Sequence, residues 1–291
     1  MDSVPWQKEM VIIPRINNRE EDRIIVVGRD DDKDKSYIDD LLEDATTAEL
    51  FSVLTENGRV VYTPGRERKY HQRIIKEFAS AGVALKNPLA VFMGGGSSSG
   101  KGLVRDNYVI PQFLMKDPEI TDFVIVDCDL IKLKLPEFNA SRDIEKASKL
   151  HEESKHVARQ LIECCIEHRF SFVYDSTLAA HPDEFVPLIR NLGANNYDLQ
   201  VVGVVCPLDV AIQREKERCE ETERQVPLRS LIYTHQRFPV TFFAIAHLFN
   251  GMYIYHNGGR YPVLIARRIG PDLEIYDQEL YNEFRERGVL R

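Results

Sequence analysis

The sequence predicts an α/β fold: a parallel sheet with helices on both faces, preceded by a mostly helical N-terminal preface. Three observations carry this. From residue 87 onward, apolar runs of strand length alternate with stretches of helical periodicity. The first run, residues 90–93, enters a glycine- and serine-rich turn that closes in Gly100-Lys101. The aspartates Asp127, Asp129 and Asp175 stand at the ends of later runs. Strands separated by helices pair in parallel, and such sheets bind ligands beyond the carboxyl ends of their strands. Two parts are expected, the preface over residues 1–84 and the sheet domain over residues 85–291.

In the preface, residues 23–27 read as a strand. Residues 29–35 are a dense charge run without the glycine or distal glutamate of a calcium loop, so a solvated turn is expected. Residues 37–54 read as helical, and residues 58–63 as extended after the Asn57-Gly58 turn. Residues 66–81 place Tyr70, Ile74, Ile75 and Phe78 at helical spacing.

In the sheet domain, residues 103–115 follow the turn as a helix. Residues 122–129 form a buried strand ending in carboxylates. Residues 142–168 carry a helical apolar face through Leu150, Val157, Leu161 and Cys165. Residues 170–177 form another strand, again with an acid at its end. Helix over 182–191, strand over 199–205 and a charged helix over 210–223 come next. Pro227 opens a helix to about residue 249, in which Pro239 is a point where a break can occur. Residues 252–255 and 263–267 read as short strands, and residues 277–287 as a closing helix.

Composition narrows the function classes. The chain has 291 residues and a net charge of −8, which argues against a protein held on nucleic acid by bulk charge. Its five cysteines show no C-x-x-C pair or Cys/His metal spacing, so reduced cytosolic thiols are expected. The opening Met1-Asp2-Ser3-Val4-Pro5 does not read as a signal peptide, and no apolar stretch is long enough to cross a bilayer. The expectation is a cytoplasmic protein with neither membrane nor nucleic acid as partner.

The turn carries the chemistry. Gly95, Gly100 and Lys101 fit the phosphate-loop pattern G-x-x-x-x-G-K. Glycines let a backbone fold around an anion and aim N–H groups inward, and the following helix adds its positive end. The expected nucleotide cradle is Gly95, Gly96, Ser97, Ser98, Ser99, Gly100, Lys101 and Gly102. The pattern has Ser or Thr after the lysine to ligate magnesium, and Gly102 stands there instead.

Phosphoryl transfer further needs a metal ion, cations for the developing charge, and a group to orient or deprotonate the acceptor. Asp175 follows Phe172-Val173-Tyr174 as a Walker-B acid would, and is the candidate to hold magnesium or bind the acceptor. Asp129 is the candidate base, although taken alone it reads more readily as a helix N-cap. Asp127 ranks second to it. Arg214 and Arg218 lie one helical turn apart in a lid position, with Arg224 beyond. His151 has no cysteine or second histidine at ligand spacing and reads as substrate-facing or surface.

Taken in order, four blocks resemble the zeta-toxin family of P-loop kinases: Val91 through Lys101; Val124-Ile125-Val126-Asp127-Cys128-Asp129 with Leu135-Pro136-Glu137-Phe138; His151-Glu152-Glu153-Ser154 leading to Val173-Tyr174-Asp175-Ser176-Thr177; and Arg218 with Arg224-Gln225-Val226-Pro227. The resemblance implies a P-loop kinase-type sheet. It implies phosphorylation of UDP-N-acetylglucosamine on the sugar 3′-hydroxyl by ATP or GTP with Mg2+, and an antitoxin protein that blocks the nucleotide site. By position it makes Asp129 the base and Lys101 the phosphate-binding lysine. Asp175 and Thr177 fall at the acceptor, and Arg218 and Arg224 become the phosphate-binding arginines, Arg214 competing with Arg218. Departures at Gly102 and Asp175, where well-known members have glutamate, leave other acceptors open: another nucleotide or dinucleotide, or a polynucleotide 5′-hydroxyl. A non-catalytic nucleotide-binding module is the remaining alternative.

Overall fold

The computed structural model describes residues 11–12, 24–25, 45–54, 60–140, 148–222 and 226–288. The charge run at 29–35, Arg224, and residues 37–44 of the expected preface helix lie outside the described residues.

A seven-stranded sheet forms the centre. Its strands are β1 (Leu89–Gly94), β2 (Val124–Asp127), β3 (Phe172–Asp175), β4 (Asp198–Val205), β5 (Gly251–His256), β6 (Val263–Ile269) and β7 (Asp272–Ile275). Across the sheet the order is β7-β6-β5-β4-β1-β3-β2. The five strands from β2 to β5 are parallel, while β6 and β7 return antiparallel. The sheet is therefore mixed at one edge. The short links after β5 and β6 leave no room for the crossover that parallel pairing requires.

Alternation along the strands divides the core. In β1, Ala90 and Phe92 face one layer, whereas Leu89, Val91 and Met93 face the other. The first layer is built from α1 (residues 64–79), α4 (His151–His168), α5 (Val186–Ala194), α7 (Leu228–Ile245) and α8 (Gln278–Arg287). On the opposite layer lies α2 (residues 101–116), through Val104, Val109 and Phe113. Two further helices matter to the site: α3 (Cys128–Lys132) and α6 (Leu208–Thr222). Phe92 and Phe172 are fully buried, and truncating either to alanine is expected to cost about 3–5 kcal/mol.

Several expectations are corrected. The helix expected over 37–54 spans only Thr47–Phe51 among the described residues. Ser52 then turns extended, and Ser52–Leu54 pairs antiparallel with Val60–Tyr62. The strand expected through Asp129 ends at Asp127, whose carboxylate caps α3, so Cys128 and Asp129 are helical. Pro239 does not break the helix: α7 runs through it, with Phe238, Thr241, Phe242 and Ile245 buried around it. Burial of that face outweighs the roughly 3 kcal/mol that an interior proline costs a helix. No helix among the described residues is long and apolar enough to cross a membrane.

The preface helix is tied to the sheet domain by a buried ion network. Arg66 donates to Glu137 from both terminal nitrogens, at 2.6 and 2.7 Å, and to Glu153 on α4 at 2.7 and 3.0 Å. Ile74 of the same helix enters the central core.

Candidate active site

At the carboxyl ends of β1, β2 and β3 the sheet opens into a cavity of about 930 Å³. Its walls include Ser98, Gly100, Lys101 and Gly102 of the loop, together with Asp127, Asp129, His151, Asp175, Thr177 and Arg218. These are the sequence-predicted residues that the fold brings together. Gly95, Gly96, Ser97 and Ser99 form the body of the loop and do not line the cavity. Arg105, Arg214, Tyr233 and Arg237 add to the wall.

The loop is held from behind. The Gly95 N–H donates to the Thr177 carbonyl at 3.2 Å. From α7, Thr234 Oγ1 accepts the Ser97 N–H at 3.0 Å, and His235 Nε2 donates to the Ser97 carbonyl at 2.8 Å. Asn257, just past β5, donates to the Ser99 carbonyl at 2.9 Å. These contacts explain two of the glycines. A Cβ on Gly96 would sit 2.2 Å from the His235 ring. Gly100 is left-handed (φ +83°), and a Cβ there would meet the Asn257 amide at 2.2 Å.

Lys101 opens α2 and folds back over the loop, donating to the carbonyls of Gly95 and Gly96 at 3.0 and 3.3 Å. Its ammonium is thereby held against the loop backbone at the wall of the cavity. Over the loop, Ser98 Oγ donates to Glu215 of α6. The same carboxylate accepts from Arg218 at 2.7 and 3.0 Å and from the Val226 N–H at 2.6 Å. One turn earlier, Arg214 reaches the Ser99 carbonyl at 3.4 Å. Both candidate arginines thus lie over the loop, Arg214 against its backbone and Arg218 against Glu215.

Opposite the loop, Asp127 and Asp175 are direct partners across the parallel strands β2 and β3. Between them comes a residue the sequence reading missed. Arg105 Nη1 lies 2.8 Å from Asp175 Oδ2 and 3.7 Å from Asp127 Oδ2. Arg105 follows Lys101 by four residues on α2, a spacing that puts both on one helix face. That spacing was the available signal. At this point α2 passes into a π-turn, Arg105–Val109, which is a frequent mark of functional sites.

Burial pushes the Asp127 carboxyl up to about 6, and the neighbouring Asp175 and Asp129 charges add to it. Burial likewise raises Asp175, although Lys101 and Arg105 pull it back. Two desolvated carboxylates converging on one cationic nitrogen form a hard, anionic oxygen donor set, which fits magnesium. Asp129, in the first turn of α3, has a side chain 71 % exposed to the cavity mouth and an ion pair with Lys132 at 3.0 Å. The N-cap of α3 is Asp127, which accepts the Asp129 N–H at 2.8 Å, so the capping role considered for Asp129 falls to its neighbour. His151 begins α4. Burial, with Lys132 and Lys155 nearby, lowers its basicity.

This geometry has known counterparts. The family model for zeta toxin matches residues 76–267. Among solved structures, the AvrRxo1-ORF1:-ORF2 complex with ATP superposes with a TM-score of 0.66 at 16 % identity, covering 84 % of this chain and 83 % of that one. The same complex with sulphate ions gives 0.64 at 17 % identity, covering 84 % and 83 %. A structure from the PezAT chromosomal toxin–antitoxin system of Streptococcus pneumoniae gives 0.56 at 13 % identity, covering 78 % of this chain and 97 % of its own. No curated protein sequence gives a significant match. With the phosphate loop, the strand-end carboxylates and a family match over most of its length, the chain belongs to the zeta toxin family and has its P-loop kinase-like fold.

Proposed function

We propose that this chain is an ATP- or GTP-dependent, Mg2+-dependent kinase that phosphorylates a hydroxyl of a nucleotide-sugar resembling UDP-N-acetylglucosamine. The observation that carries the reading is the facing of Lys101, on the loop, by Asp127, Asp129 and Asp175 across one cavity. A cradle for donor phosphates and a carboxylate wall for an acceptor hydroxyl are the two halves of a phosphoryl-transfer site. The ATP in the AvrRxo1-ORF1:-ORF2 crystals supports ATP as donor. The toxin–antitoxin setting of PezAT supports an antitoxin protein as partner.

In this mechanism the loop amides and Lys101 bind the β- and γ-phosphates. Asp175, with Asp127 beside it, would hold magnesium, which would supply positive charge to offset that of the phosphates. Asp129 orients the acceptor hydroxyl and takes its proton as that oxygen bonds to the γ-phosphorus. The bond from the γ-phosphorus to the bridging oxygen breaks, and the nucleoside diphosphate leaves. Arg218, and Arg224 by resemblance, stabilise the charge on the transferring group. Thr177 and His151 face the acceptor.

The test is incubation of purified protein with ATP or GTP, magnesium and a panel of hydroxyl compounds led by UDP-N-acetylglucosamine, read by mass spectrometry. Gain of one phosphate on the nucleotide-sugar is expected. Gain on a nucleoside, dinucleotide or polynucleotide end instead would replace the acceptor. No transfer to any compound, with ATP still bound, would overturn the kinase reading in favour of a nucleotide-binding module.

A further inference from the structure

A second cluster of ligand-type side chains lies away from the cavity, between α1 and α4. Glu67 and His71 stand on the π-turn of α1, and His156 on α4. Glu67 Oε1 lies 3.0 Å from His156 Nε2, and Glu67 Oε2 lies 3.2 Å from His71 Nδ1. One ligand atom from each residue falls within 4.8 Å of the others. We propose that Glu67, His71 and His156 bind a divalent transition-metal ion of the zinc type, which clasps the N-terminal helix to the core.

Three observations point to a ligand here. First, His71 is fully buried, and its Nδ1 makes no well-aligned hydrogen bond among the described residues, although Glu67 Oε2 stands 3.2 Å from it. Its other nitrogen, Nε2, meets Glu153 Oε1 at 2.7 Å. A carboxylate on one imidazole nitrogen fixes the tautomer and turns the lone pair of the other outward, the usual arrangement behind a metal-bound histidine.

Second, carboxylates outnumber permanent cations in the network among the described residues. Among the described residues joined by the contacts above, the carboxylates of Glu67, Glu137 and Glu153 stand against one permanent cation, Arg66. One divalent cation on neutral imidazoles closes that gap of two. Without it, two protons must do so.

Third, the surroundings are built as a metal shell is built. Gln160 donates to both oxygens of Glu67, at 3.1 and 3.3 Å, and orients that carboxylate. The Tyr62 ring packs 4.9 Å from His71 and 4.6 Å from His156, and its buried hydroxyl has no hydrogen-bond partner among the described residues. Two imidazoles and a carboxylate are the ligand types of a zinc site, with a fourth position for water. Cysteine spacing cannot reveal this site. Its ligands come from two helices 89 residues apart in sequence.

The test uses the full chain stripped with chelator and titrated with Co2+ in excess Mg2+, which saturates carboxylate sites. The expected result is one equivalent of Co2+ with the visible absorption of nitrogen and oxygen ligation, displaced by Zn2+. His156→Gln and Glu67→Gln should each weaken binding about a hundredfold or more, since lost outer partners alone cost tenfold to a hundredfold. Both should also abolish the rise in melting temperature that metal gives the wild type. Both side chains are only partly buried, so these variants are chosen over His71, and circular dichroism checks that they fold. Cys164→Ser should retain the metal, because Cys164 and His168 form a separate sulfur–nitrogen contact. The absence of stoichiometric binding to the wild type overturns the site, leaving a cluster neutralised by protons. Unweakened binding by both variants, or loss of binding in Cys164→Ser, also overturns it.

Discussion

The guanidinium of Arg105 bridges Asp175 and Asp127, at 2.8 and 3.7 Å, where two neighbouring strands end. It holds two carboxylates that would otherwise repel, Asp175 buried and Asp127 half-buried, next to the cavity in which Lys101 and Gly102 face them. Gly102 lacks the hydroxyl that usually ligates magnesium, and the Arg105 side chain passes over it, 3.9 Å from where a Cβ would stand.

Arg105→Gln should therefore destabilise the metal-free protein by about 3–5 kcal/mol, the cost of leaving the buried Asp175 without its ion-pair partner. Added magnesium should recover more stability in the variant than in the wild type, because it takes the position between the two acids. Thermal melts with and without magnesium check this. Equal gains in both proteins would show that the carboxylates do not share a cation.

Lys101→Ala should weaken ATP binding on the order of tenfold to a hundredfold, from the loss of a charge-assisted bond worth about 1.5–3 kcal/mol. It should abolish turnover as well. Calorimetric titration with ATP measures the first effect. Unchanged affinity would place the phosphates elsewhere.

Arg66→Ala should cost about 3–5 kcal/mol of stability, because Glu137 and Glu153 would be left buried without their partner. Arg66→Lys should recover little of it, since an ammonium cannot satisfy two carboxylates through a planar fork. Burial opposes ionisation of Glu153, but Arg66 and His71 outweigh it and hold the carboxyl down at about 2. Denaturant midpoints of the two variants decide the point.

Burial lowers the basicity of His235 below its ordinary 6.5, even though the bond to Ser97 works in the opposite direction. The unfolded chain thus takes up a proton on this group before the folded protein does. The stabilising contribution is complete above pH 6.5 and is lost as pH falls from 6.5 through the lowered folded value. In a difference curve of stability against pH, wild type minus His235→Gln, other titrating groups cancel. That difference should shrink on acidification, and a flat or growing difference would contradict a buried neutral imidazole behind the loop.

The sequence made some of this site legible and hid the rest for identifiable reasons. The loop from Gly95 to Gly102 is contiguous, so its pattern survives without any fold. Asp127 and Asp175 were readable because parallel strands deliver their last residues to one edge. The order of importance between Asp127 and Asp129 was harder, since strand β2 ends one residue earlier than its apolar run suggests and Asp127 takes the cap. Arg105 looked like one more charge on a helix, and only Asp175, 70 residues away, gives it meaning. Glu215, Thr234, His235 and Asn257 converge on the loop from distant segments, which no local pattern announces. In the preface, apolar residues at 50–54 suit either a helix or a strand. The hairpin with Val60–Tyr62 decides between them.

The central claim is that the cavity between Lys101 and the strand-end acids transfers phosphate, with Asp129 handling the acceptor proton. Its most direct test is the turnover of Asp129→Asn beside the wild type on the accepted hydroxyl compound, with ATP affinity measured on the same samples. Turnover about a hundredfold lower or more, at unchanged ATP affinity, is the predicted result. Near-normal turnover in Asp129→Asn would contradict it.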